Sequence, residues 1–178
     1  MRNTSKSLDI KRLVYMAVLT AIVVVLQFIP IKIGTFELAL SVPIIVIGAA
    51  LLGSGVGTWL GFVFGFVVLL LPGTAAFLSF NLFGTIVTVL LKGALAGLFA
   101  GLVYKLLSRN RYVACLVSAI VATVVNTSVF LIGSLIFFEG DISIVINTFI
   151  SINFVIELIV NIVLVPTVYR IINIKRKI

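Results

Sequence analysis

Six apolar runs take up almost the whole chain, and only short polar or glycine-proline breaks separate them. A bilayer core about 30 Å thick calls for about 20 apolar residues per helical span. The 178 residues therefore leave room for six spans and short loops, and for no separate soluble domain. Apolar residues make up 62% of the chain and charged residues 10%, against roughly 25% charged in soluble domains. A water-soluble domain has too little interior to hide that much apolar surface. The expected fold is an all-α integral membrane bundle of six transmembrane helices, with residues 1–178 forming one domain.

The expected spans are 13–29, 38–52, 56–71, 82–107, 112–138 and 144–172. The first is too long for a signal-peptide core and lacks a small-residue cleavage site, so it reads as a retained helix. Glycines at 53, 55 and 57 suit a tight turn between the second and third spans, and Pro72-Gly73-Thr74 marks the turn after the third. Pro43 and Pro166 fall inside spans and are expected to kink them.

Lysine and arginine set the orientation. Arg2, Lys6, Lys11 and Arg12 precede the first span, Lys105, Arg109 and Arg111 lie between the fourth and fifth, and Arg170, Lys175, Arg176 and Lys177 follow or end the sixth. With six spans these places share one side, so both termini are expected in the cytoplasm. The opposite side keeps Lys32 with the acids Glu37, Glu139 and Asp141. The net charge of +8 is thus distributed over helix ends, which argues against a nucleic-acid surface.

Histidine is absent and Cys115 is the one cysteine. This removes the commonest general base, an internal disulfide and any multi-cysteine metal site. An intramembrane enzyme would have to rely on Lys92 and Glu157 alone.

Small residues recur every fourth position at Gly53, Gly57, Gly61 and Gly65, and again at Gly93, Gly97 and Gly101. Such stripes let helix backbones approach closely in lipid, where burial of apolar surface gives little drive. Ala17 and Ala21 form a shorter stripe in the first span.

Two ionisable residues lie at depth. Lys92 stands thirteen residues before Lys105 and Glu157 thirteen before Arg170, so both lie roughly 20 Å from the cytoplasmic edge. A charge there costs a few kcal/mol unless it is paired or wet. Equal depth and opposite sign allow either a structural ion pair or a polar cavity that receives a solute. Asn153, Glu157 and Asn161 share one helix face, and Asn81, Asn126 and Asn147 add further amides in or near spans. The candidate solute-binding residues are Lys92, Asn126, Asn153, Glu157 and Asn81, with Lys32 and Glu37 from the first outer loop. Segments 30–36, 73–80 and 139–143 are short enough to act as lids.

Several segments carry a family likeness through their order and spacing. They are Ala17-Val18-Leu19-Thr20-Ala21, Val42-Pro43 through Gly48-Ala49, Leu52-Gly53-Ser54-Gly55-Val56-Gly57, Lys92-Gly93 through Tyr104, Val125-Asn126-Thr127, and Asn153 through Glu157 to Pro166. The chain resembles the S component, the substrate-binding subunit, of energy-coupling factor (ECF) vitamin transporters. The likeness lies closest to the branch with pantothenate, riboflavin and hydroxymethylpyrimidine carriers. It implies a high-affinity micronutrient-binding subunit in a bacterial cell membrane. That subunit would dock through Ala17 and Ala21 on a transmembrane coupling subunit driven by two cytoplasmic ATPases. No P-loop is present, so ATP would be used by the partners and the chain itself needs no cofactor. Many relatives have Pro-Arg where this chain has Leu91-Lys92. Lysine keeps the charge without the planar fork, which suits a point contact to an anion such as pantothenate. A self-sufficient secondary transporter or channel is the alternative, although no inverted repeat is visible in the sequence.

Overall fold

The computed structural model describes residues 2–29, 32–33, 36–37, 40–137 and 151–175. The described elements are helix α1 (Arg2–Gln27), strands β1 (Lys32–Ile33) and β2 (Phe36–Glu37), and helices α2 (Ser41–Leu52) and α3 (Ser54–Leu69). A 3-10 turn (Pro72–Thr74) leads to the short helix α4 (Ala75–Phe80), followed by α5 (Leu82–Leu106), α6 (Arg111–Phe137) and α7 (Ser151–Lys175). The fold is a helical membrane bundle, as expected, with one two-residue antiparallel ladder that the sequence did not suggest.

Among the described residues, three helical segments are long and apolar enough to cross a membrane: Ile10–Gln27, Leu82–Leu106 and Arg111–Phe137. Ser54–Leu69 and Pro72–Phe80, bent by 76°, make a fourth when taken as one broken span. The second expected span is corrected by the structure. It begins at Ser41 instead of residue 38 and has 12 residues, which at 1.5 Å per residue covers only about 18 Å. Burial explains how so short a helix is tolerated. On one side Val42, Val46, Ile47 and Ala49 join a core with residues of α5, α6 and α7. On the other, Ile45 joins Val23, Val56, Leu60 and Phe64. Protein, not lipid, sheathes α2.

Pro43 is a second correction. It is the third residue of α2, where the backbone N–H has no acceptor inside the helix, so proline removes no ladder bond and no kink is required. Pro166 does lie inside α7. Gly53 alone separates α2 from α3 and has φ of 98°, a conformation that side chains with a Cβ rarely adopt.

The two glycine stripes meet each other. A Cβ placed on Gly61 would strike the Gly93 carbonyl oxygen, and one on Gly97 would strike that of Gly57. Gly65 lies against Val89 and Gly101 against Ser54 in the same antiparallel register. The two backbones touch where hydrogen stands in place of a side chain, and α3 has its most extensive interface with α5.

One end of the bundle gathers the basic helix ends. Arg12 Nη2 donates to the Leu52 carbonyl oxygen at 3.1 Å, which ties the start of the first span to the α2–α3 turn. Gly101 abuts Ser54 at that turn, and the hydroxyls of Tyr104 and Tyr169 meet between α5 and α7. Lys105, Arg109, Arg111 and Arg170 therefore lie near the end that carries Arg12, as the positive-inside pattern requires.

Candidate functional site

Lys92 is half-buried on α5, directly before Gly93 of the glycine seam. Its ammonium lies over the ring of Phe130 of α6, 4.9 Å from the centroid, and 5.9 Å from the centroid of Phe64 of α3. A Cβ on Gly93 would come within 3.0 Å of the Phe64 ring, so the glycine leaves room for one of the two faces that hold the cation. Phe77 of α4 meets Phe130 edge-on at 5.8 Å. One turn before Lys92, Thr88 is buried and its hydroxyl has no partner.

A second polar group lies between α6 and α7. Asn161 Nδ2 donates to Thr123 Oγ1 at 2.8 Å, and both residues are fully buried. One turn from this bond along each helix come Asn126 and Glu157, each 7% exposed. Asn126 Oδ1, Glu157 Oε1 and Asn161 Oδ1 are buried acceptors without a hydrogen-bond partner. Among the described residues, no direct ion pair joins Lys92 and Glu157. A buried polar atom without a partner costs about 1–3 kcal/mol, so three of them grouped on two facing helices are a candidate place for a bound group to supply donors.

The other residues singled out in the sequence have different settings. Asn81 is the N-cap of α5: its Oδ1 accepts from Gly84 N at 2.8 Å and its Nδ2 donates to the Phe137 carbonyl at 3.1 Å. Both ends of that amide are engaged in joining α5 to the end of α6. Lys32 and Glu37 are opposite each other across the β1–β2 ladder. Asn153 lies in the first turn of α7, and its side chain is outside the described residues, as are Asn147 and the segment 139–143. Of the expected lid at 73–80, most is the turn and helix α4, tied down by Thr85 Oγ1 donating to the Phe77 carbonyl at 2.8 Å. Trp59 is turned to the outside, with Nε1 donating to Thr20 of α1 at 3.2 Å. Ala17 and Ala21 lie on an exposed face of α1.

Phe64, Thr88 and Thr123 were missed in the sequence. An aromatic on a glycine-rich helix and hydroxyls in apolar helices look like packing residues, and only the rotation of each helix about its axis reveals that Phe64 faces Lys92, that Thr123 faces Asn161 and that Thr88 packs on Gly133.

A membrane bundle that keeps a lysine over aromatic rings and unpartnered polar atoms inside its apolar body has the features a membrane transport protein would use. Residues 11–169 match the model of the family described as ECF transporter, substrate-specific component, and the chain belongs to that family. No curated protein and no solved structure matches it. The chain is thus the substrate-binding subunit of an ECF transporter in the cell membrane, and no enzyme; its family implies a substrate and an ECF energising module.

Proposed function

We propose that this subunit captures a B-vitamin carrying an anionic group, with pantothenate as the first candidate, and delivers it to a coupling subunit powered by two ATPases. The observation that carries this reading is the Lys92 ammonium. It lies over two aromatic faces with no carboxylate bound to it among the described residues, so its charge remains available to a ligand. A lysine in the apolar body of a membrane protein costs several kcal/mol, and aromatic faces return only about 0.5–2 of that. An incoming carboxylate supplies the remaining stabilisation through a charge-assisted hydrogen bond.

A stripe of exposed small residues on α1, centred on Ala17 and Ala21, leaves that helix free to pack closely on a coupling-subunit helix. Native mass spectrometry of subunit purified without added vitamin tests the reading. A retained small organic anion, exchangeable for pantothenate, supports it. A folded subunit that neither retains nor binds any B-vitamin contradicts it.

A further inference from the structure

The polar layer between α6 and α7 has a direction that its hydrogen bonds determine. Thr123 Oγ1 lies 3.0 Å from the Ala119 carbonyl oxygen and donates its one proton there. That oxygen can then only accept, so Asn161 must present its NH2 group to it, as the 2.8 Å bond records. A flipped amide would set two acceptors against each other. The free end of Asn161 is therefore its carbonyl oxygen, 0% exposed as a residue and without a donor. Glu157, one turn away on the same face of α7, adds a carboxylate oxygen in the same condition, and the Asn126 amide of α6 lies one turn from Thr123 with an atom likewise unpartnered.

The free oxygens of Asn161 and Glu157 are acceptors, and Lys92 on α5 is a donor. The two groups thus call for opposite chemistry. We infer that Asn161 and Glu157, with the Asn126 amide beside them, form a donor-reading subsite, and that the substrate is bipolar: an anionic group at one end for Lys92, and at least one N–H or O–H donor at the other for this layer. The inference rests on the reading of the chain as a vitamin-binding subunit and adds Asn161 to the residues that select its ligand. Thr123 is a positioning residue, since it acts only by holding the Asn161 amide in one orientation.

Calorimetric titration of the purified subunit tests this with three probes. Pantothenate has a carboxylate together with amide and hydroxyl donors, lipoate has a carboxylate and no other donor, and 4-amino-5-hydroxymethyl-2-methylpyrimidine has donors and no anion. The unaltered subunit should bind pantothenate at least about tenfold more tightly than either of the others, the equivalent of one good hydrogen bond to a charged or buried group. Asn161→Leu should remove about tenfold from pantothenate and leave lipoate unchanged. Thr123→Val, which keeps the Asn161 carbonyl but releases its orientation, should weaken pantothenate by a smaller factor and again spare lipoate. The probe ranking needs no variant and stands even where Asn161→Leu fails to fold. Lipoate binding as tightly as pantothenate, or equal loss of both in Asn161→Leu, overturns the donor subsite and leaves the vitamin reading intact. No binding of any probe by folded subunit overturns the donor subsite together with pantothenate as the ligand.

Discussion

The ammonium of Lys92 stands 4.9 Å from the ring centroid of Phe130, across the interface of α5 and α6, and among the described residues no carboxylate is bound to it. Sequence depth alone made Lys92 and Glu157 look like partners. The structure instead sets the cation on aromatic faces and leaves a Glu157 oxygen without a donor. A preformed ion pair would have to be broken by an incoming anion. A cation held by π-faces does not require that.

Phe130→Leu should test how much those faces matter. Losing a partly desolvated cation–π contact is worth about 0.5–2 kcal/mol, or roughly two- to thirtyfold in affinity. Affinity for pantothenate should fall by a factor in that range while the melting temperature changes little. An unchanged affinity measured by calorimetry would mean the ring does not hold the cation in the bound state.

The seam of α3 and α5 should be intolerant of any added carbon. A Cβ at Gly61 or Gly97 strikes backbone atoms that cannot rotate away. Gly61→Ala and Gly97→Ala should each destabilise the subunit by about 1–3 kcal/mol, the range for overpacking a tight interior. Gly55→Ala is the matched control, since a Cβ there meets nothing within 4 Å. Thermal unfolding in detergent reads the difference, and equal midpoints for all three variants would contradict the close crossing.

The α6–α7 bond should be worth more than an average hydrogen bond. Thr123→Val leaves the buried Asn161 NH2 without an acceptor, and an unsatisfied buried group costs about 1–3 kcal/mol. Thr123→Ser keeps the hydroxyl and should retain most of the stability. The comparison is of unfolding midpoints, and a loss in Thr123→Ser as large as that in Thr123→Val would show that the hydroxyl contact with Asn161 is not the source of the stability.

Ala17→Trp and Ala21→Trp should abolish co-purification with the coupling subunit and leave vitamin binding intact. Both alanines are exposed, so a bulky side chain there leaves the subunit's own core unaltered. Normal assembly of both variants with the energising module would show that docking lies elsewhere.

Much of this arrangement is readable in the residues, and its limits have physical causes. Apolar length and the placement of lysine and arginine define helices and sidedness, because both depend on distance along the chain alone. The four-residue glycine repeat foretells a close crossing, and Gly57, Gly61, Gly93 and Gly97 make it. Rotation about each helix axis is not encoded so simply. Equal depth therefore identified Lys92 and Glu157, but not that Phe64 and Phe130 would receive the ammonium. Asn81 shows the opposite error. Its place three residues before Gly84 at the start of an apolar run is an N-cap signature, and its amide is engaged there. The shortness of α2 was hidden because a helix sheathed by protein need not match the membrane's thickness.

Pantothenate calorimetry and thermal unfolding of Lys92→Ala, Glu157→Gln and the double variant decide whether Lys92 serves a ligand or Glu157. Lys92→Ala should bind at least about tenfold more weakly while still folded, and neutralising Glu157 as well should restore nothing. A Lys92→Ala subunit that unfolds but is rescued by Glu157→Gln, with pantothenate affinity returned, would identify a structural ion pair and leave the lysine no part in binding.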